Sequence, residues 1–242
     1  MKKSPAGKTA IITGGGGGIG RAIAEKLARE QMKIVLLGGN NQENLSQTGK
    51  IVEQYSDCLI LPGDLTSREF RENAVKKAIC AFGAADVLIN NAGVAQHTPF
   101  EQVSEEEFDR IMTINNKVPF FLTRMLLPFL KQSEWATIIN IASVVAHAGY
   151  PMQSVYTASK HALLGWTKAL ARECYQDNIR VHAVSPGGVY TDMVKLSRPD
   201  LTPEGMILPE EIAEIVWFFL ANRGNAVVDE ISVHRLNKEP FI

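Results

Sequence analysis

Cysteine is scarce in this sequence of 242 residues, where Cys58, Cys80 and Cys174 are the only three. They lie far apart, form no CxxC pair and cannot all pair with one another, which is typical of a protein in a reducing compartment. No apolar run approaches the ~20 residues that a membrane-spanning helix needs. The basic segment Met1–Lys8 is not followed by a signal-length apolar core before Gly14. These absences predict a cytoplasmic protein with no membrane partner.

An excess of either charge is also missing. The chain has 25 Lys and Arg against 26 Asp and Glu, a net charge of −1. It therefore lacks the basic footprint that binds nucleic acid or anionic lipid. No His, Cys or Asp cluster has the spacing of zinc ligands, so we expect no catalytic metal. The length and an apolar fraction of 45% suit one α/β domain, which we expect over residues 1–242.

Short β-branched runs alternate with amphipathic segments along the whole chain. This alternation predicts an α/β protein with a parallel sheet covered by helices on both faces. The predicted strands are Thr9–Thr13, Lys33–Leu37, Cys58–Leu61, Val87–Ile89, Thr137–Ile141, Arg180–Val184 and Glu230–Val233. The predicted helices are Ile19–Gln31, Glu43–Tyr55, Ser67–Phe82, Ser104–Leu130, Ser154–Tyr175 and Pro209–Ala221. The segment 186–208 is long and irregular, which predicts a substrate loop or lid.

A glycine-rich string separates the first predicted strand from the first predicted helix. It reads Thr13-Gly-Gly-Gly-Gly-Gly-Ile-Gly20. Glycines permit a sharp turn and let backbone N–H groups approach a pyrophosphate at the N-terminus of the helix. The string alone could be a flexible loop, but its position between the first strand and the first helix favours a dinucleotide-binding site.

The end of the second predicted strand bears on the choice of dinucleotide. A domain that selects NAD usually carries an acid there. The sequence Gly38-Gly39-Asn40-Asn41 has no acid before Glu43, so nothing would repel the 2′-phosphate of NADP, and no Arg is present to bind it. The expected cofactor is therefore NAD(P)(H), with a slight preference for NADP(H).

Tyr156 and Lys160 are four residues apart and project from one face of a predicted helix. An ammonium beside a phenol favours the phenolate, so Lys160 should lower the pKa of Tyr156 from about 10 toward neutral pH. Ser143 follows the fifth strand, where loops meet the ligand crevice, and could hydrogen-bond a reacting oxygen. A Tyr and a Lys at this spacing more often form a surface pair. The glycine string and Ser143 together favour chemistry.

Pro119 is a fourth signal. It has no N–H for the carbonyl four residues before it, which belongs to Asn115. In a continuous helix that carbonyl could hold a structural water, although an ordinary proline kink fits the sequence equally well.

Together these motifs resemble the short-chain dehydrogenase/reductase (SDR) family. The matching elements, in chain order, are Thr13-Gly-x-x-x-Gly-Ile-Gly20, Asn90-Asn-Ala-Gly93, Asn115, Ser143, Tyr156-x-x-x-Lys160 and Ser185-Pro-Gly187. They span nearly the whole chain. The resemblance implies a doubly wound, seven-stranded parallel Rossmann sheet. It also implies hydride transfer between NAD(P) and a carbonyl or secondary alcohol.

The resemblance also implies a role for each matching residue. Tyr156 would be the general acid or base, and Lys160 would bind the nicotinamide ribose and lower the pKa of Tyr156. Ser143 would orient the substrate oxygen, and Asn115 would hold a water that links Lys160 to solvent. The implied cofactor-binding residues are Gly14, Gly16, Gly17, Gly18, Ile19, Gly20, Gly39, Asn40, Asp64, Leu65, Asn91, Ala92, Gly93, Tyr156, Lys160, Pro186, Gly187, Val189 and Thr191.

The C-terminal residues depart from the 3-oxoacyl-[acyl-carrier-protein] reductases, the members that the chain otherwise resembles. Those reductases end in T-G-x-x-x-x-V-D-G-G, whereas Val227–Arg235 contains no glycine. The reductase chemistry is unaffected because the catalytic positions are present. The substrate stays open among small and medium carbonyl and alcohol compounds. Its specificity would come from Ala95–Phe100, Val144–Gln153 and Tyr190–Leu208.

A function of another class is a non-catalytic protein that senses a dinucleotide. Such a protein would need the glycine string, but it would not need Ser143, Tyr156, Lys160 and Asn115 together. The sequence therefore favours an enzyme.

The segment Val118–Leu130 is too apolar for a fully exposed helix, so it is either core or part of a subunit interface. In the SDR family this helix and the one over Ser154–Tyr175 commonly build oligomers. The resemblance therefore implies a homotetramer or homodimer.

Overall fold

The computed structural model describes residues 4–39, 41–192, 194 and 202–239. Seven strands form one parallel sheet in the order β3-β2-β1-β4-β5-β6-β7. Their bounds are β1 Thr9–Thr13, β2 Lys33–Leu37, β3 Cys58–Leu61, β4 Val87–Asn90, β5 Thr137–Ile141, β6 Arg180–Pro186 and β7 Glu230–Val233. The predicted doubly wound, seven-stranded Rossmann sheet is confirmed.

The helices lie on both faces of the sheet. Their bounds are α1 Gly18–Arg29, α2 Gln42–Val52, α3 Arg68–Phe82, α4 Glu105–Met112, α5 Val118–Leu130, α6 Ser154–Cys174 and α7 Pro209–Ala221. Alternate residues of one strand serve the two faces, since a strand has a period of two. Ile12 packs into the core shared with α1, α2 and α7, whereas Ile11 packs into the core shared with α3, α5 and α6.

The helix predicted over Ser104–Leu130 is divided into three parts. A π-helical turn, Thr113–Lys117, separates α4 from α5, and the Val118 N–H bonds to the Thr113 carbonyl five residues back. Pro119 explains this wider turn, because it cannot donate to the carbonyl of Asn115 as an α-helix requires. The expectation of a continuous α-helix is wrong here, and Asn115 lies at the centre of the π turn.

The reversal of strand order between β1 and β4 positions the site. At such a switch point the chain leaves the two neighbouring strands in opposite directions, which opens a crevice at their carboxyl ends. The residues after β1, β4, β5 and β6 all reach this crevice. None of the described helices is both long and apolar enough to cross a membrane.

Candidate active site and cofactor site

The glycine string forms a tight loop between β1 and α1. The φ angles of Gly14 and Gly18 are +68° and +49°, a region that side chains other than glycine rarely adopt. A Cβ on Gly20 would lie 2.2 Å from the Gly14 carbonyl oxygen, and one on Gly14 would lie 2.9 Å from Ala92 Cα. These glycines are therefore required by close packing, and the loop is not merely flexible.

The N-terminus of α1 is open to an anion. Its N-cap residue, Gly17, provides no side-chain hydrogen bond, and the first turn contains no acidic residue. The first N–H groups of a helix have no partner within the helix, and its dipole favours a negative charge there. The loop thus fits the pyrophosphate of a dinucleotide, as the sequence predicts.

The loop after β4 is tied directly to the glycine loop. Asn91 Nδ2 donates to the carbonyls of Thr13 and Gly14 at 3.0 and 3.2 Å. The backbone N–H groups of Asn91 and Ala92 both donate to Thr13 Oγ1 at 3.0 Å. Asn91 and Ala92 therefore lie beside the glycine loop, and Gly93 follows them in the chain.

The residues predicted for the adenosine end also lie together. Gly39 forms a β-bridge with Gly63, and a Cβ on Gly38 would lie 2.5 Å from Leu65. Asp64 is exposed, and hydrogen bonds from the side chain and backbone of Thr66 hold the pKa of its carboxyl below the ordinary value. Asn40 lies outside the described residues.

Ser143 and Tyr156 meet in the same crevice. Ser143 ends β5 and caps a short 3-10 turn, Val144–Ala146, while Tyr156 lies in the first turn of α6. The Ser143 hydroxyl lies close enough to Tyr156 to lower the pKa of the phenol, and Ser143 Oγ donates to the Pro186 carbonyl at 3.3 Å. The fold thus brings together a serine and a tyrosine that are thirteen positions apart in the sequence.

The pKa of Tyr156 is shifted in the direction opposite to the sequence expectation. Desolvation raises it above its ordinary value, and the nearby Ser143 hydroxyl offsets only part of that rise. The Lys160 ammonium lies 5.8 Å from the centre of the Tyr156 ring, and the pKa of the phenol is nevertheless raised. The phenol is therefore protonated at neutral pH.

Lys160 is buried, with 5% of its surface exposed. Its Nζ donates to the Ile141 carbonyl at 2.8 Å, and burial lowers its pKa to about 8. The side chain is thus mostly charged at neutral pH but is close to losing its proton.

Asn115 links the site to the loop after β4. Its Oδ1 accepts from the Val94 N–H at 2.8 Å, and its Nδ2 donates to the Val94 carbonyl at 2.9 Å. The same Nδ2 donates to Ser159 Oγ at 3.1 Å, one residue before Lys160. A Cβ on Gly93 would touch Asn115 and lie 3.7 Å from Lys160 Nζ. Gly93, Asn115 and Lys160 are therefore neighbours.

The chain after β6 returns to the glycine loop. Gly187 N donates to the Val233 carbonyl at 2.7 Å, and Val189 forms a β-bridge with Ile207. A Cβ on Gly18 would lie 2.9 Å from Thr191 Cγ2. The chain from Pro186 through Gly187 and Val189 to Thr191 therefore runs from the end of β6 to the glycine loop. Of the segment 186–208, residues 193 and 195–201 lie outside the described residues.

The side-chain hydrogen bonds of two residues near the site were not predicted from the sequence. Arg21 donates to the Gly16 carbonyl at 3.0 Å and to Thr48 Oγ1 at 3.1 Å, so it braces the glycine loop against α2. Gln96 accepts backbone hydrogen bonds at the start of α6. A basic residue directly after the glycine string is a signal for the first. No local pattern indicates the second, because its partners lie about sixty positions away.

Comparisons with known proteins decide the family. A family model described as short chain dehydrogenase matches residues 8–202. The chain belongs to the short-chain dehydrogenase family. As a member of this family, it is an NAD(P)-dependent oxidoreductase that acts on CH–OH or C=O groups, which favours the enzyme over the non-catalytic sensor.

Two curated relatives cover most of the chain. The 3-oxoacyl-[acyl-carrier-protein] reductase FabG of Thermotoga maritima is 33% identical over 238 residues, 93% of this chain and 95% of its own. A D-beta-hydroxybutyrate dehydrogenase of Rhizobium meliloti is 35% identical over 207 residues, 85% of this chain and 80% of its own. The similarity therefore extends beyond the glycine loop to the catalytic half of the short-chain dehydrogenase.

Solved structures show the same architecture. The 3-ketoacyl-(acyl-carrier-protein) reductase from Brucella melitensis, complexed with NADH, aligns with a TM-score of 0.84 at 29% identity, covering 96% of this chain and 97% of that one. A metagenomic short-chain oxidoreductase in complex with NADP aligns with a TM-score of 0.84 at 28% identity, covering 98% and 100%.

Proposed function

We propose that this short-chain dehydrogenase reduces a carbonyl group, with Tyr156 as proton donor, Ser143 as the group that orients the substrate oxygen and Lys160 as its electrostatic partner. The proximity of Tyr156 to Ser143, whose hydroxyl lowers the pKa of the phenol, and to Lys160, whose Nζ lies 5.8 Å from the centre of the Tyr156 ring, carries the proposal. It places a hydroxyl donor and a second polar group where one carbonyl oxygen could contact both. When bound, the nicotinamide supplies or accepts the hydride.

The pKa directions favour reduction. The raised pKa of Tyr156 keeps its proton on the phenol at neutral pH, which suits a residue that must give a proton to a developing alkoxide. Lys160, with a pKa of about 8, is charged below that pH and would bind the ribose hydroxyls and stabilise the phenolate that forms. Asn115 would hold a water that returns the proton through Lys160.

For the cofactor we propose a slight preference for NADP(H). The end of β2, Gly38 and Gly39, presents no carboxylate that would repel a 2′-phosphate. Relatives of known structure bind either form, since one is complexed with NADH and another with NADP. Titrations with NADPH and NADH, followed by nicotinamide fluorescence, measure the preference. A tenfold difference corresponds to about 1.4 kcal/mol, and tighter NADH binding would refute this proposal.

For the substrate we propose a small or medium ketone or secondary alcohol. The names of the two curated relatives describe an oxo group to be reduced and a hydroxyl to be dehydrogenated. The segments Ala95–Phe100, Val144–Gln153 and Tyr190–Leu208 would set the choice, and 186–208 would act as a substrate loop or lid. Acetoacetyl-CoA, ethyl acetoacetate and a 3-oxosteroid form the first panel.

Tyr156→Phe tests the proposed chemistry. The variant keeps the ring and its packing but removes the proton, so turnover of the panel should fall about 100-fold or more while NADPH binding persists. Phe121→Tyr is a control that leaves the crevice residues unchanged. If Tyr156→Phe turned over acetoacetyl-CoA at the wild-type rate, the assigned role of Tyr156 would be wrong.

We also propose that the chain assembles as a homodimer or homotetramer through α5 and α6. Phe120 on α5 is 45% exposed and packs edge-on against Phe121 and Trp166 at ring-centre distances of 5.4 and 5.7 Å. A separate groove of about 420 Å³ lies between α6, β6 and β7. Light scattering of the wild type and Phe120→Asp tests the proposal, because a charge on the face should dissociate the assembly.

Two further expectations stand as proposals. Residues 1–242 form a single dinucleotide-binding and catalytic domain, supported by the one seven-stranded sheet that the described residues form. The protein is cytoplasmic, supported by three cysteines that are all free thiols.

A further inference from the structure

The helix that carries Tyr156 and Lys160 has no cap of its own. Its N-cap residue, Gln153, makes no side-chain hydrogen bond to the first turn of α6. The first N–H groups of a helix need partners from outside it, and a buried N–H without one is costly. Gln96, on the segment after β4, provides the partner. Its Oε1 accepts from Val155 N at 2.8 Å and from Tyr156 N at 3.2 Å.

Tyr156 is held at its carbonyl as well. Ser159 Oγ donates to the Tyr156 carbonyl at 2.7 Å and accepts from Asn115 Nδ2 at 3.1 Å. Asn115 in turn is bound through both side-chain atoms to Val94, two residues before Gln96. The segment 94–96 therefore supports both backbone groups of Tyr156. Gln96 binds the N–H directly, and Val94 supports the carbonyl through Asn115 and Ser159.

Capping α6 with the buried Gln96 amide is less favourable in free energy than a local cap would be. Gln96 is buried, with 4% of its surface exposed, and its Nε2 has no hydrogen-bond partner among the described residues. An unpaired buried donor is unfavourable by about 1–3 kcal/mol. A Ser or Asp at position 153 would cap α6 locally without burying an amide. What a local cap would not provide is a link between α6 and the loop that adjoins the glycine string.

We propose that Gln96 is a positioning residue for Tyr156, setting the phenol against Ser143 by anchoring the first turn of α6 to the loop after β4. The inference rests on the proposed role of Tyr156. Gln96 does not contact the reacting atoms, so its effect should fall on the rate of the chemical step and leave cofactor binding unchanged. A small displacement is enough, since a shift of ~1 Å in a reacting group can lower turnover about 100-fold.

The test compares three variants of the full chain. Gln96→Met keeps the size of the side chain but removes the acceptor, whereas Gln96→Glu keeps an acceptor that a helix N-terminus favours. Ser154→Ala is the matched control, because Ser154 is the first residue of α6 and its hydroxyl has no hydrogen-bond partner among the described residues. For each we would measure amide hydrogen exchange of Val155 and Tyr156, the dissociation constant of NADPH, and kcat with NADPH and acetoacetyl-CoA.

We expect Gln96→Met to expose the two amides to faster exchange and to lower kcat at least about tenfold, with the NADPH dissociation constant unchanged within about twofold. Gln96→Glu should recover most of the protection and of kcat. Ser154→Ala should match the wild type in all three measurements.

Three results would overturn the inference. The first is unchanged exchange of the Tyr156 amide in Gln96→Met, which needs no substrate to observe. The second is a fall in kcat that only follows the folded fraction. The third is a Gln96→Glu variant that recovers neither the protection of the two amides nor kcat. This variant still tests the inference if Gln96→Met fails to fold. If Tyr156→Phe is inactive while Gln96→Met is fully active, the positioning role alone fails. If Tyr156→Phe is active, the proposed function itself fails.

Discussion

Between Thr13 and Gly20 the crevice is made almost entirely of backbone, whereas along α6 it is made of buried side chains. The glycine loop presents N–H groups and leaves no room for a Cβ on Gly14 or Gly20. The α6 side buries the ammonium of Lys160 and raises the pKa of Tyr156 by desolvation. The glycine loop gains affinity because its backbone can approach a ligand closely. The α6 side instead pays a desolvation free energy to bury its reactive polar groups.

This difference predicts opposite sensitivities. The loop should be disrupted by added atoms, because its function depends on the absence of side chains. The helix should be inactivated by removed atoms, and removing its buried charge should even stabilise the fold. Substitutions in each half can therefore test the contrast.

The largest effect is expected for Gly20→Ala. The added methyl group would lie 2.2 Å from the Gly14 carbonyl oxygen, which belongs to backbone and cannot move aside cheaply. We expect the free energy of unfolding to fall by about 3 kcal/mol and NADPH affinity to fall at least about tenfold. Urea unfolding and fluorescence titration measure the two.

Gly17→Ala is the matched control in the same loop. A Cβ there would have no neighbour within 4 Å, and the φ of −171° is open to any residue. We expect a stability change within about 0.5 kcal/mol. Equal losses in the two variants would mean that the loop tolerates no side chain anywhere, and the argument from close packing at Gly20 would be wrong.

An intermediate effect is expected for Lys160→Met, with the opposite sign. The pKa of Lys160 is about 8 in the folded protein and about 10.4 in the unfolded chain, so below pH 8 folding holds a buried charge against its preference. The variant should be more stable than the wild type by about 2 kcal/mol at pH 7, after allowing for the lost bond to Ile141. It should also lose turnover.

The pH dependence of the free energy of unfolding tests the sign of this effect. Between about pH 8 and 10.4 the unfolded wild type binds more protons than the folded wild type, so its stability rises with pH across that window. The advantage of Lys160→Met should therefore shrink over the same range and be gone above it. A variant that is less stable at pH 7, or an advantage independent of pH, would contradict a costly buried ammonium.

The two halves also differ in how far the sequence predicts them. Gly14, Gly18 and Gly20 stand in one continuous string, and Tyr156 and Lys160 share a helix face, so local patterns locate both groups. The direction of the pKa shift of Tyr156 was not predictable, because it depends on burial by several segments at once. The π turn at Asn115 and the cap from Gln96 likewise depend on tertiary contacts rather than on local sequence.

The smallest effect is expected for Thr48→Val, which removes a side-chain contact behind the glycine loop. Thr48 is fully buried, and its hydroxyl accepts from Arg21 Nε at 3.1 Å and donates to the Asn44 carbonyl at 3.1 Å. Losing these bonds should lower the free energy of unfolding by about 1 kcal/mol. Arg21 keeps its bond to the Gly16 carbonyl, so the dissociation constant of NADPH should rise by no more than about threefold.

Thr48→Ser, which retains the hydroxyl, is the control. If Thr48→Val weakened NADPH binding as strongly as Gly20→Ala, the loop would depend on side-chain bracing, and the contrast with α6 would fail, since both halves would then be built from side chains.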